Sequence, residues 1–143
     1  MPMKASIETG RLRARIENVA PQIDGGDFPV KRTVGQRVLV TADVLSDGHE
    51  QLSCLLKYHS QTETRWHEVP MGSLGNDRWD GEFLAAEVGR YCYTIEAWVD
   101  HFKSWREQLQ KRVDAAQDVC LELQIGANLV RDAANRAPQR DAE

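Results

Sequence analysis

The spacing of apolar residues changes from a strand period to a helix period at Asp100, with no glycine or proline at the join. Before this residue apolar and polar side chains alternate, as they do in a half-buried strand. One face of that strand carries Tyr91, Tyr93, Ile95, Ala97 and Val99. After it, apolar residues recur every three or four positions, which places them on one face of a helix. They are Phe102, Trp105, Leu109, Val113 and Ala116. Asp100 itself stands where a helix N-cap is expected.

The region before Asp100 reads as short strands separated by turns, with no helix between them. Strands are predicted at Leu12–Val19, Val38–Val44 and Leu52–Tyr58, and a further strand follows the turn at Gly75–Trp79. The strand at 52–58 is expected to form a hairpin with residues 65–69, which would place Tyr58 beside Trp66. This arrangement predicts an antiparallel β-sandwich.

The helical part runs from about His101 to Ala137 and ends before Pro138. Only Gly126 lowers its helix propensity, so one long helix and two segments bent near residues 117–118 are both compatible with the sequence. The apolar stripe continues through Val119, Leu123, Ala127 and Val130. A stripe of this length needs a helix to pack on, and none is predicted elsewhere in the chain.

Charge and composition exclude several classes of protein. The 143 residues carry a formal net charge of −4, which provides no basic surface for nucleic acid or an anionic membrane. No apolar stretch is long enough to span a bilayer, and the N-terminus lacks the apolar core of a signal peptide. The protein is therefore predicted to be cytoplasmic.

The three cysteines form no CxxC pair. Cys54 and Cys92 flank two tryptophans in the order seen in immunoglobulin domains, but Arg90 stands where those domains have a tyrosine. We expect Cys54 and Cys92 to be buried free thiols.

The sequence contains no motif for a catalytic, cofactor-binding or metal-binding residue. His49, His59, His67 and His101 lack the spacing of metal ligands, and the DGGDF segment lacks the lysine and glycine spacing of a phosphate loop. The acidic residues Glu82, Glu87 and Glu96 have no defined separation that would mark an acid and base pair. We therefore predict that the chain has no catalytic residue and needs no cofactor.

Two groups of residues are candidates for contacts. Asp24, Lys31 and Arg32 lie in a Gly- and Pro-rich connection and are candidates for an interdomain or anionic-ligand contact, although a solvated surface loop is an equal alternative. Four tryptophans are candidates for stacking on sugar rings. They are Trp66, Trp79, Trp98 and Trp105. The alternative is that the first two cap the sandwich and the last two fill the joint between sheet and helix.

Four segments together resemble the N-terminal region of bacterial α-1,4-glucan:maltose-1-phosphate maltosyltransferases. They are IDGGDFPVKRTVG, ADVLSDGHEQL, VPMGSLGNDRWDGEF and GRYCYTIEAWVDHFKSWREQLQKRVDAAQDV. The resemblance covers residues from about Ile16 to Ala137. It implies membership of the α-amylase superfamily and transfer of maltosyl units from maltose 1-phosphate to α-1,4-glucan. The two catalytic carboxyl groups of that family lie on a (β/α)₈ barrel, which is expected beyond Glu143, so no catalytic residue is carried over.

The resemblance also implies a domain organisation. Residues 1–100 would form an immunoglobulin-like antiparallel β-sandwich, 101–137 a long helical segment that begins a helical insertion, and 138–143 a flexible tail. The chain would then be a fragment without activity of its own, whose partners are the catalytic barrel, a second copy in a homodimer and α-glucan. The alternative is a free-standing immunoglobulin-like interaction or glycan-binding module, and the sequence that follows Glu143 distinguishes the two.

Overall fold

The computed structural model describes residues 13–138 of the chain. They divide into a β unit that ends at Val99 and a helical unit that begins at Asp100. Leu12, the first residue of the predicted first strand, and the predicted tail from residue 139 onward lie outside the described residues.

Between residues 13 and 99 the β unit contains seven strands. They are β1 (Ala14–Ala20), β2 (Arg37–Ser46), β3 (Leu52–Ser60), β4 (His67–Pro70), β5 (Gly72–Gly75), β6 (Arg78–Leu84) and β7 (Tyr91–Val99). Antiparallel pairing builds a four-stranded sheet in the order β1-β2-β6-β5 and a three-stranded sheet in the order β4-β3-β7. The first sheet has the A-B-E-D order of the immunoglobulin sandwich, and β3 and β7 occupy the places of strands C and F. The predicted immunoglobulin-like antiparallel β-sandwich is confirmed.

The core lies between the two sheets and follows the predicted alternation. Val38, Val40 and Val44 of β2 are buried on one side, and Cys54 and Leu56 of β3 are buried on the other. Burying a side chain of this size contributes about 1.5–3 kcal/mol to folding. The period of two in these strands therefore directs one face of each sheet inward.

Strand β7 alternates as its sequence predicts. Tyr91, Tyr93 and Ile95 pack against the core, and the residues between them are exposed. Cys92 belongs to the exposed set, so the expectation that it is buried is wrong. All three cysteines are free, and Cys54 alone is buried.

The register of the hairpin between β3 and β4 differs from the predicted one by one residue. Tyr58 pairs with His67, and their rings stack with centroids 5.2 Å apart. Trp66 precedes β4 and contacts the ring of His59 edge-on, with centroids 4.3 Å apart. The predicted contact between Tyr58 and Trp66 is therefore wrong, because a shift of one residue moves a side chain to the opposite face of a sheet.

The turn predicted near Gly75 joins β5 to β6. Asn76 and Asp77 both adopt positive φ angles, of 49° and 63°, as the central residues of a type I′ hairpin turn do. Strand β5 itself was not predicted, because its four residues include two glycines and carry no alternation.

The described part of the helical unit, up to residue 138, forms two helices, α1 (His101–Asp114) and α2 (Cys120–Arg136). The carboxylate of Asp100 accepts a hydrogen bond from the backbone N–H of Lys103 at 2.9 Å, which confirms the predicted N-cap. Ala116 has a positive φ of 52° and ends the first helix. The sequence left open one long helix or two segments, and the structure has two segments. Neither helix is long and apolar enough to cross a membrane.

The two helices pack against each other, so the expectation that this chain lacks a partner helix is wrong. Glu122 and Gly126 are the buried residues of α2, whereas Leu123 and Val130 of the predicted stripe are 53% and 55% exposed. The break between the helices changes the helical phase, so a spacing that holds along α1 does not continue along α2.

Candidate functional site

The connection between β1 and β2, residues 21–36, has an ordered backbone. A single 3₁₀ turn spans Asp24–Gly26, and the backbone N–H of Gly26 donates to the carbonyl of Ile23 at 3.0 Å. Gly25 and Gly26 have φ angles of 67° and 95°, which favour glycine. Ile23 and Phe28 then face each other in an isolated antiparallel bridge. We call this connection the β1–β2 loop.

Hydrogen bonds attach both ends of the β1–β2 loop to the sandwich. The hydroxyl of Tyr93 donates to the carbonyl of Pro21 at 2.5 Å. At the other end, the N–H of Gly35 donates to the carbonyl of Ala85 at 2.8 Å, and the N–H of Ala85 donates to the carbonyl of Gln36 at 3.2 Å. The loop is therefore held in one position on the β unit.

The exposed residues of the β1–β2 loop include both apolar and cationic side chains. Ile23 and Phe28 are 46% and 58% exposed and lie side by side across their bridge. Lys31 and Arg32 are exposed on the same loop, and Arg32 Nη1 donates to the carbonyl of Lys31 at 2.8 Å. We call these four residues the loop face. Asp24, the third predicted contact residue, lies in the turn between the two apolar residues and is exposed.

Arg32 lies close enough to Tyr93 for its charge to act on the tyrosine hydroxyl. Burial raises the pKa of Tyr93, and the Arg32 guanidinium opposes that shift. Tyr93 therefore binds the start of the loop through Pro21 and is influenced by the charge of Arg32, which lies farther along the same loop. Ile23 and Phe28 are not among the contact residues predicted from the sequence, although two apolar residues around a Gly-rich turn are a readable signal.

Within the β unit, the structure does not bring Trp66, Trp79 and Trp98 together. Trp79 is 7% exposed and belongs to the core, so it offers no surface for a sugar ring. Trp105 lies in the helical unit, where its indole N–H donates to the carbonyl of Glu122 at 2.6 Å. Trp66 and Trp98 are exposed on the β unit.

Trp66 and Trp98 lie at opposite ends of the three-stranded sheet. Trp66 contacts His59, whereas Trp98 pairs with Ser53. Ser53 and His59 are six positions apart on β3, which corresponds to about 20 Å at the rise of a strand. The two exposed indoles therefore offer two separate contact points.

A shallow cleft of about 190 Å³ opens beside the β3–β4 hairpin. His67 Nε2 lies 3.2 Å from the Glu63 carboxylate, and the N–H of Glu87 donates to the Tyr91 hydroxyl at 3.2 Å. Tyr58 forms part of the wall and stacks on both His67 and Phe83. Pockets that enclose small ligands are usually about 300–1,000 Å³, so this cleft is smaller than that range.

Two of the three glutamates considered for acid and base chemistry form ion pairs on the sheets. Glu82 Oε1 lies 2.8 Å from Arg37 Nη1, and Glu96 Oε1 lies 2.9 Å from Lys57 Nζ. The hydrogen bond to Glu96 is the main cause that raises the pKa of Lys57, as expected for an ammonium group beside a carboxylate. Within residues 13–138, no group of three His, Cys, Asp or Glu side chains is arranged to hold a metal ion.

Residues 12–143 match the family model for α-1,4-glucan:maltose-1-phosphate maltosyltransferase, domain N/S. The chain belongs to this maltosyltransferase family. A maltosyltransferase of Chlorobaculum tepidum is 48% identical over 133 residues, which cover 93% of this chain and 20% of the relative. One of Myxococcus xanthus is 48% identical over 126 residues, covering 85% of this chain and 19% of that protein. One of Methylacidiphilum infernorum is 41% identical over 121 residues, covering 85% and 18% respectively.

The chain thus spans about one fifth of the length of these maltosyltransferases. The match to the family model, over residues 12–143, includes both the sandwich and the helical unit. The resemblance inferred from the four sequence segments is confirmed.

Proposed function

We propose that this chain is the non-catalytic N-terminal domain of a maltosyltransferase that extends α-1,4-glucan with maltose 1-phosphate as donor. The observation that carries the proposal is the match of residues 12–143 to domain N/S of that family. Transfer at a glycosidic centre requires two positioned carboxyl groups. In this proposal those carboxyl groups belong to the part of the parent protein outside the match, which makes up about four fifths of the relatives' length. The present chain contributes to assembly.

The partners of the domain follow from the same proposal. Its first partner is the catalytic part of the parent polypeptide, and Asp24, Lys31 and Arg32 are the proposed contact residues. A homodimer is the second, supported by the apolar side chains that α2 exposes, among them Leu121, Leu123 and Val130. The exposed free thiols Cys92 and Cys120 support a cytoplasmic location, since free surface thiols suit a reducing compartment.

A glycan-binding module is the alternative function, and the exposure of Trp66 favours it. This indole is 42% exposed beside His59, so one of its faces is available to stack on a sugar ring. In the maltosyltransferase setting the same residue would add to a glucan-binding surface.

The test of the main proposal is a chimaera. The segment of the Chlorobaculum tepidum maltosyltransferase that matches this chain is replaced by residues 12–143, and phosphate release from maltose 1-phosphate is measured with glycogen as acceptor. We expect the chimaera to retain activity within about tenfold of the parent, because the domain lies outside the chemistry. The 143-residue chain alone should release no phosphate above a control without protein.

Two outcomes of this experiment would contradict the proposal. Turnover by the isolated chain would show that it carries catalytic groups of its own. A correctly folded chimaera without activity would show that this domain does not serve a maltosyltransferase.

A further inference from the structure

The loop face has the side-chain composition of a protein contact, and the backbone that carries it is ordered. Its apolar pair, Ile23 and Phe28, is exposed although the backbone beneath it is held by hydrogen bonds at both ends. Contact surfaces between proteins are enriched in aromatic residues and arginine, and a few central side chains dominate their affinity. A loop fixed in advance also loses less conformational freedom when it docks.

We propose that Phe28, with Ile23 beside it, is the apolar anchor through which the sandwich docks on the catalytic part of the parent polypeptide. This inference rests on the proposed function. Lys31 and Arg32 then lie at the rim of the contact and pair with acidic side chains of the partner surface. The partner surface is accordingly an apolar pocket with carboxylates at one edge.

The occupant follows from the lengths of the relatives. About four fifths of each matched maltosyltransferase lies outside the region that this chain spans, so a large surface of the same polypeptide is available to cover the loop. Lys31 and Arg32 follow Phe28 by three and four positions on the same loop, so two exposed cations lie near the apolar pair in the chain. An apolar pair accompanied by cationic side chains suits a contact between domains of one chain, because such interfaces are more polar than those of obligate complexes.

Thiol protection tests this anchor directly. Phe28→Cys is introduced into the isolated chain and into the Chlorobaculum tepidum chimaera, and labelling by a maleimide is followed by mass spectrometry of the peptide that carries position 28. If the anchor is covered, labelling in the chimaera should be slower by at least about tenfold, because access controls thiol reactivity. Leu39→Cys is the matched control, since Leu39 is also an exposed apolar residue of the β unit, at 54%.

The possible results separate the inference from the proposed function. Equal labelling of position 28 in the two proteins, in an active chimaera, overturns the anchor and leaves the proposed function standing. If labelling in the chimaera slows equally at positions 28 and 39, the loop is not the specific contact. If protection of position 28 disappears when the chimaera is diluted, a second copy of the protein covers the loop. That result overturns the proposal that the catalytic part covers it. A folded but inactive chimaera removes the proposed function, and the anchor with it.

Discussion

The indole ring of Trp105 in α1 occupies the space that a β-carbon on Gly126 of α2 would need. The same indole donates a hydrogen bond from Nε1 to the carbonyl of Glu122, one turn before Gly126. The absence of a side chain at Gly126 thus sets how closely the two helices approach. From the sequence alone, Gly126 is predicted only to lower the helix propensity of its segment.

Gly126→Ala should destabilise the helical unit. Alanine favours a helix over glycine by about 1 kcal/mol. Displacing a packed tryptophan typically costs about 1–3 kcal/mol and outweighs that gain. Urea unfolding followed by circular dichroism measures the difference, and Ala127→Gly, at an exposed position of the same turn, measures helix propensity alone. A Gly126→Ala protein more stable than the wild type would contradict the close contact.

The ion pair between Arg112 and Glu122 should stabilise the same unit. Arg112 Nε lies 2.9 Å from Glu122 Oε1, and the Glu122 side chain is only 9% exposed. Arg112→Ala leaves a nearly buried carboxylate without its cation, which should cost about 1–2 kcal/mol. In a Glu122→Gln background the same substitution should cost less, and a double-mutant cycle of unfolding free energies measures the coupling. Equal costs in the two backgrounds would mean that the pair contributes nothing.

Tyr93 should make the β unit less stable at alkaline pH. Burial raises the pKa of its hydroxyl above the ordinary value of 10.0, so above that pH the unfolded chain loses the proton while the folded chain retains it. Titration of Tyr93 should therefore leave the free energy of unfolding unchanged well below pH 10.0 and should lower it as the pH rises above that value.

Tyr93→Phe removes this dependence and also the hydrogen bond to Pro21. Its stability should be lower than that of the wild type at pH 7 by about 1 kcal/mol and should decline less at high pH. Tyr91→Phe is the control on the same strand. Parallel stability profiles for wild type and Tyr93→Phe above pH 10 would refute the assignment.

The exposed apolar residues of α2 should cause the isolated chain to self-associate. Leu123 and Val130 are more than half exposed, and monomeric proteins rarely leave large apolar patches uncovered. Leu123→Glu combined with Val130→Glu should reduce the mass measured by light scattering to that of a monomer. Gln124→Glu adds a charge at an exposed position of the same helix and should leave the mass unchanged. A wild-type chain that is already monomeric would show that this surface does not associate.

Trp66 should be the residue that responds to glucan if the β unit binds it. Trp66→Ala should leave the melting temperature within about 2 °C of wild type, since substitutions at exposed positions change stability little. Titration with maltoheptaose, followed by tryptophan fluorescence, should give a signal in the wild type that Trp66→Ala abolishes and Trp98→Ala preserves. A signal that survives Trp66→Ala would place any glucan site elsewhere.

The register of β4 and the bridge between Ile23 and Phe28 could not be read from the sequence. Tyr58 pairs with His67, one position from the predicted neighbour, because the length and form of the intervening turn set the register. Ile23 and Phe28 flank a Gly-rich turn in the sequence, but only the structure shows that they face each other in a bridge. Both features depend on contacts between segments that no local pattern encodes.

The sequence by itself determined the alternation of β7, the change of period at Asp100, the N-cap there and the family. Each depends on residues close together in the chain, or on motifs in a fixed order. Tertiary structure alone decided that Gly126 meets Trp105, and that Leu123 and Val130 face outward. The physical reason is that periodicity defines a helix face only within one unbroken helix. Across the turn at Ala116 the phase is reset, and the packing of the second helix on the first chooses which side is buried.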